Sequence, residues 1–143
     1  KMTVSAKMRN TNRNIWSRRL AFQAIYSWSI NPCSIEDLLG LFSNDANFEK
    51  SDSSYFNDII TGVISNIRHI DDSIQDKSDI DITKINIVEL SIIRCYVYEI
   101  IYNKKFPYEV IISESVKLAK KFGGQDSYKF INAFLENYKK LEE

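Results

Sequence analysis

Residues 55–70 read YFNDIITGVISNIRHI, and this stretch decides the fold class. Its apolar side chains recur every three or four residues, which is the spacing of one face of an α-helix. Asp52, shortly before Tyr55, is a suitable residue to cap the start of such a helix. The spacing predicts a helix over residues 55–70, which the acidic stretch from Asp71 to Asp81 ends or bends.

The rest of the chain shows the same helical spacing. We predict helices from about Trp16 to Trp28, from a Ser34 cap to Phe42, over residues 85–101, from Pro107 to Phe122, and from an Asp126 cap to the chain end. Asn31-Pro32 ends the first, and Gly123-Gly124 ends the fourth at the usual position after a helix. The inner face predicted for the last helix is Phe130, Ile131, Phe134, Tyr138 and Leu141.

The composition excludes most other folds. Only 4 Gly and 2 Pro occur in 143 residues, whereas sandwiches and barrels need turns rich in both. Alternation of apolar and polar residues with a period of two is absent over any useful length. A chain of this length makes one domain. We therefore predict an all-α protein, a compact bundle of six to seven helices.

The zero net charge hides an uneven distribution. Residues 1–19 carry six basic residues and no acid, residues 20–103 are strongly acidic, and residues 104–143 are slightly basic. Residues 1–14 lack apolar periodicity and are predicted to form a flexible basic arm. Such an arm suits a polyanion, and it is equally typical of a solvated amino terminus.

The sequence offers no sign of catalysis. His69, the only histidine, lies beside Arg68 near the acidic stretch, and we expect it to be solvated. Gly123-Gly124 lacks the Lys-Ser/Thr of a phosphate-binding loop. Cys33 and Cys95 have no disulfide or metal spacing and are predicted to be reduced core thiols of a cytoplasmic protein. We expect no cofactor, no metal site and no membrane span.

Charged residues on two segments leave alternatives open. Glu89, Arg94 and Glu99 lie among Ile and Val in the helix predicted over residues 85–101, so each either points outward or is paired inside. Alternatively, the rim of this helix forms an interface with protein or RNA. The acidic stretch from Asp71 to Asp81 is interpreted as a solvated face, or as a docking surface for a basic partner.

Residues 120–129, KKFGGQDSYK, combine features that suit a nucleic acid. Lysines neutralise phosphates, aromatic rings stack on unpaired bases, and a helix start attracts anions. Asp126 could itself occupy that helix start and repel phosphate. An ordinary turn between two helices is the alternative interpretation.

Several of these runs, in this order, resemble the NusB family of bacterial transcription antitermination factors. They are RLAFQAIYSW (19–28), IRCYVYEI (93–100), Pro107-Tyr108, ISESVKLAKKFG (112–123) and DSYKFIN (126–132). The resemblance covers about residues 13–140. It implies two small helical subdomains, which we expect at about residues 15–78 and 79–143, and no catalysis. It also implies binding to the boxA element of nascent ribosomal RNA, together with the ribosomal protein NusE, in an antitermination complex with RNA polymerase.

The resemblance implies the site residues by position. The RNA contacts would come from Arg13, Arg18, Arg19, Tyr26, Lys121, Phe122, Gly123, Gly124, Gln125, Asp126 and Lys129. Glu89 would lie near the partner protein or the RNA. The family's arginine-dense stretch before the first helix is thinned here by Asn14, Ile15 and Trp16, and Tyr128 stands where a histidine is common.

Two other functions fit the same features. One is the NusB-like RNA-binding module that precedes a methyltransferase domain in ribosomal RNA cytosine methyltransferases. The other is a protein–protein adaptor without RNA contact, in which the acidic middle of the chain docks a basic partner.

Overall fold

The computed structural model describes residues 3–142, and every regular element in that range is helical. The α-helices are α1 (Val4–Ile30), α2 (Ile35–Ser43), α3 (Ser53–Ser65), α4 (Ile67–Asp76), α5 (Ile87–Tyr98), α6 (Tyr108–Phe122) and α7 (Ser127–Glu142). Short 3₁₀ turns lie at Phe48–Lys50 and Ile82–Lys84, and a π-helical turn lies at Glu99–Asn103. The predicted all-α class with six to seven helices is confirmed.

The chain divides into two compact units, Lys1–Thr61 and Gly62–Glu143. The division falls inside α3, earlier in the chain than the boundary near residue 78 that we expected. Unit 1 contains α1, α2, the first 3₁₀ turn and most of α3. Unit 2 contains the end of α3 and all later elements.

The predicted start of the first helix at Trp16 is wrong, because α1 begins at Val4. The Thr3 hydroxyl caps it by accepting a hydrogen bond from the amide of Ala6 at 3.0 Å. Residues 7–13 are exposed on every side, so this part of the helix has no apolar face. Part of the predicted flexible arm is therefore helix, while its residues Lys1 and Met2 lie outside the described range.

Unit 1 has an aromatic core. Phe56 is fully buried, with the ring of Phe48 edge-on at 5.5 Å and the ring of Phe42 at 6.5 Å between centroids. The predicted Ser34 cap of α2 is confirmed, since its hydroxyl accepts from the amide of Asp37 at 3.0 Å. Cys33 is exposed between α1 and α2, so its placement in the core is wrong.

The helix predicted over residues 55–70 is two helices, separated at Asn66. The Asn66 side-chain amide donates to the carbonyl of Gly62 at 2.8 Å, and such a local side-chain bond competes with helix continuation. The apolar spacing continues through the break, and for that reason the sequence did not reveal it. α4 then runs through the acidic stretch to Asp76, because Ile70 and Ile74 are buried on its other face.

α5 is the central helix of unit 2 and contacts α4, α6 and α7. The ring of Tyr96 meets that of Tyr138 edge-on, with centroids 5.9 Å apart. The buried face of α7 consists of Ser127, Ile131, Leu135 and Tyr138. The predicted face therefore missed Leu135 and wrongly included Leu141, which is 57% exposed; Phe130 and Phe134 are half-buried.

The charge of Arg94 is paired within unit 2. Its Nε and Nη2 atoms each donate to a carboxylate oxygen of Asp71 at 2.9 Å, a two-pronged geometry that joins α5 to α4. The interpretation that charges on α5 are paired inside the protein is confirmed for this residue. It also gives Asp71 of the acidic stretch a structural role. Glu99, which begins the π-helical turn after α5, is buried.

Candidate nucleic-acid interface

The basic residues of α1 fall into exposed and buried positions. Arg13 is exposed, and Arg19 is half-buried with its guanidinium carbon 5.0 Å from the centre of the Trp16 ring. Arg18 is only 7% exposed and lies 5.4 Å from the centre of the Tyr55 ring. Of the three arginines expected at RNA, Arg18 is thus packed inside unit 1 and offers little surface to a ligand.

A hydrogen-bonded clasp holds α1 against the segment that leads into α3. The Ser17 hydroxyl donates to the carbonyl of Asp52 and accepts from its amide, both at 2.9 Å. The preceding 3₁₀ turn is thereby placed beside α1, and the Lys50 ammonium lies 4.9 Å from the centre of the Trp16 ring. Lys50 was not among the predicted site residues, because no local sequence pattern relates it to a ring so far away in the chain.

Tyr26 lies further along α1. It is half-buried, and its ring lies against that of Phe22 with centroids 6.3 Å apart. Arg13, Arg19 and Tyr26 are therefore the residues predicted in unit 1 that keep exposed or partly exposed side chains.

In unit 2 the segment 120–129, here called the diglycine corner, joins α6 to α7. The Gly123 amide donates to the carbonyl of Ala119 at 2.9 Å, and the Gly124 amide donates to the Ser127 hydroxyl at 3.1 Å. Gly123 has φ −89°, so the left-handed conformation usual after a helix is not used here. A Cβ at Gly123 would stand 2.5 Å from Ser127 Cβ, so the glycine is needed for close approach.

Lysines and aromatic rings alternate around the diglycine corner. The ammonium groups of Lys120 and Lys129 lie 5.1 Å and 6.0 Å from the centre of the Tyr128 ring. The Lys121 ammonium lies 5.7 Å from the centre of the Phe122 ring. All three lysines are exposed and both rings are half-buried. Cations held beside partly exposed rings suit a ligand that has both phosphates and flat bases.

Acidic groups moderate this charge. Asp126 directly precedes α7, and its carboxylate lies 3.6 Å from the Lys129 ammonium. Glu89, in the first turn of α5, is half-buried, and its carboxylate accepts a hydrogen bond from the Ser127 hydroxyl at 2.7 Å. Glu89 is therefore paired inside unit 2, and its hydrogen bond joins α5 to the diglycine corner.

Cys95 and His69 belong to residue types that often act in catalysis, and both lie in unit 2. Burial raises the pKa of the Cys95 thiol well above its usual range, which disfavours the reactive thiolate. His69 is exposed, as expected, and hydrogen-bonds the Tyr102 hydroxyl. Among residues 3–142, His, Cys, Asp and Glu side chains form no group of three or more that could hold a metal ion. Over the same residues, no helix has the length and apolar character needed to cross a membrane.

These features define a class, an α-helical protein of two helical units with lysine-rich and aromatic surfaces. The model of the NusB family matches residues 16–140. The chain belongs to the NusB family.

Relatives and solved structures agree with this assignment. The transcription antitermination protein NusB of Shewanella frigidimarina is 38% identical over 84% of this chain and 90% of its own length. The NusB of Coxiella burnetii is 34% identical over 84% of this chain and 87% of its own. The structure of T. maritima NusB superposes with a TM-score of 0.75 at 27% identity, over 87% of this chain and 88% of the other.

A structure of the antitermination factors NusB and NusE in complex with dsRNA contains the same fold. Its matching chain superposes with a TM-score of 0.78 at 23% identity, covering 89% of this chain and 96% of that chain.

Proposed function

We propose that this chain is a transcription antitermination factor that binds boxA-type single-stranded RNA together with the ribosomal protein NusE. The observation that carries the proposal is the 38% identity, over 84% of the chain, to a protein named for antitermination. The lysines and rings of the diglycine corner supply the chemistry such a role needs. In this role the chain acts by binding, in the bacterial cytoplasm, within the antitermination complex of RNA polymerase, and uses no cofactor or membrane.

Each part of the site has a physical task in this proposal. The ammonium groups of Lys121 and Lys129, with the Arg13 guanidinium, hold the sugar–phosphate backbone. The ring of Phe122 stacks on bases that a single strand can turn outward. Gly124 and Gln125 are exposed, and a strand can approach the backbone there closely because a glycine has no side chain in the way.

Three of the expected contacts act indirectly. The Glu89 carboxylate orients Ser127, and its outer edge is available to NusE. The Asp126 carboxylate forms an exposed ion pair with Lys129, which an RNA phosphate would replace. Arg18 sets the position of α1 from inside unit 1, so we assign RNA contact on this helix to Arg13, Arg19 and Tyr26.

Fluorescence polarisation with a labelled boxA-like RNA tests the proposal. The protein is titrated alone and with purified NusE, at several salt concentrations, and a scrambled RNA is the control for sequence. We expect the logarithm of the binding constant to fall linearly with the logarithm of salt, by about 0.7 per phosphate contact. A binding constant that does not change with salt would contradict the phosphate contacts.

Matched lysine variants test the site. Lys121→Gln and Lys129→Gln should each weaken binding and lower the salt slope, whereas Lys84→Gln removes the same charge from an exposed residue outside the corner and should change neither. If the wild type binds NusE but no RNA under any condition, the function is that of a protein adaptor.

A further inference from the structure

The half-buried indole of Trp16 has two cations beside it, contributed by different elements. The Arg19 guanidinium carbon lies 5.0 Å, and the Lys50 ammonium 4.9 Å, from the centre of the ring. Arg19 comes from the next turn of α1, and Lys50 comes from the 3₁₀ turn Phe48–Lys50. These three residues are called here the Trp16 platform.

The Trp16 platform is held in place by its surroundings. The two Ser17–Asp52 hydrogen bonds fasten the segment after Lys50 to α1. The buried guanidinium of Arg18 lies against Tyr55 and fixes the rotation of the same helix turn. The backbone segments that carry Trp16 and Lys50 are therefore held close to each other.

Tryptophan has the largest aromatic face available to a base, and exposed bases stack on such rings regardless of sequence. A cation over an exposed ring contributes little, so a base can displace it at small cost. Lysine suits this exchange because its ammonium is a compact charge on a flexible stem. After the exchange, the displaced ammonium is within reach of the phosphate that adjoins the stacked base.

We propose that the Trp16 platform is a base-stacking site for single-stranded RNA, in which a base stacks on Trp16 while Lys50 and Arg19 hold the adjoining phosphates. This inference rests on the proposed function and adds to it a stacking residue and a phosphate contact, Lys50, that the arginine-based expectation did not include. Trp16 lies in the stretch where this chain has fewer arginines than is usual in the family. Stacking on Trp16 would compensate for the RNA affinity that the missing arginines would have contributed.

Tryptophan fluorescence tests the stacking directly, because Trp16 and Trp28 are the only two tryptophans. In the Trp28→Phe variant all indole emission comes from Trp16. Adding unlabelled boxA-like RNA to this variant, with NusE present, should quench that emission, because a stacked base quenches an indole. The quenching should follow a saturable binding curve, and the dissociation constant fitted to this curve should equal the one that polarisation gives. The matched Trp16→Phe variant, which keeps Trp28, should show no comparable quenching.

Affinity measurements complete the test. Trp16→Ala should weaken RNA binding about tenfold, and Trp16→Phe should retain most of the affinity because a smaller ring still stacks. Lys50→Gln should lower the salt slope by about 0.7, while Lys84→Gln should not. Circular dichroism of each variant checks that its helices are retained.

The outcomes separate this inference from the proposed function. Saturable polarisation binding with unchanged Trp16 emission and an unaffected Trp16→Ala dissociation constant would overturn the Trp16 platform and leave the proposed function intact. Failure of the wild-type protein to bind RNA, with and without NusE, would overturn both.

Discussion

The hydroxyl of Ser127 donates to the carboxylate of Glu89 and accepts from the amide of Gly124, at 2.7 Å and 3.1 Å. One side chain therefore links the first turn of α5, the start of α7 and the backbone of the diglycine corner. The shape of this candidate RNA-binding corner thus depends on an acidic residue that lies on a different helix, far away in the sequence.

Glu89→Ala should loosen the corner. Ser127 would lose its acceptor, and we expect the free energy of unfolding to fall by about 1–2 kcal/mol, with faster hydrogen exchange at the Gly124 amide. Glu89→Gln keeps an acceptor oxygen and should lose less. Chemical denaturation and amide exchange measure the two effects, with exposed Glu136→Gln as the control. Unchanged exchange at Gly124 would refute the linkage.

The two glycines of the corner should respond differently to alanine. A Cβ at Gly123 would meet Ser127 Cβ at 2.5 Å and the Ala119 carbonyl oxygen at 2.7 Å, whereas at Gly124 no atom lies within 4 Å. Gly123→Ala should destabilise the protein by about 1–3 kcal/mol, and Gly124→Ala should be close to neutral. Urea denaturation of both variants measures the two changes in the free energy of unfolding. Equal changes would show that the structure around Gly123 adjusts to a Cβ without strain.

A second glycine pair tests packing inside a helix. At Gly62 in α3 a Cβ would stand 2.0 Å from Tyr98 Cε1, while at Gly40 in α2 no atom lies within 4 Å. We expect Gly62→Ala to cost about 1–3 kcal/mol. Gly40→Ala should stabilise by about 0.5–1 kcal/mol, since alanine has the higher helix propensity. Thermal unfolding distinguishes the two, and a stabilised Gly62→Ala protein would contradict the contact with Tyr98.

Stability should decline at high pH because of Tyr138. Burial raises the pKa of this phenol from 10.0 to about 12, although the hydrogen bond to Ser73 acts in the opposite direction. The unfolded chain therefore loses this proton first as the pH rises, and the free energy of unfolding should fall from about pH 10 towards pH 12. In Tyr138→Phe the decline should be shallower, with Tyr96, whose pKa burial also raises, accounting for part of what is left. Denaturation midpoints at several pH values measure it, and identical slopes would contradict the assignment to Tyr138.

Sequence patterns predicted those parts of the fold that depend on interactions between residues close together in the chain. The Ser34 cap and the end of α1 at Asn31 follow from short-range chemistry, and both were predicted. The first turns of α1 escaped prediction because a helix exposed on all sides has no apolar period. The break at Asn66 escaped because the apolar period continues through it.

The same distinction between local and long-range contacts separates the predicted from the unpredicted parts of the candidate site. The lysines and rings of the diglycine corner are neighbours in sequence, so their grouping could be predicted. Three other features join distant parts of the chain, so no sequence spacing predicts them. They are the contact between Lys50 and Trp16, the burial of Arg18 and the pairing of Glu89 with Ser127.

The buried position of Arg18 in unit 1 favours an arginine over a lysine at residue 18. A guanidinium is planar and more weakly hydrated than an ammonium, so it can lie against the Tyr55 ring inside unit 1. A lysine there would be driven by desolvation to give up its proton. The packing against Tyr55 would then be lost, and α1 would rest on a lysine stem that covers this ring less well than a flat guanidinium does.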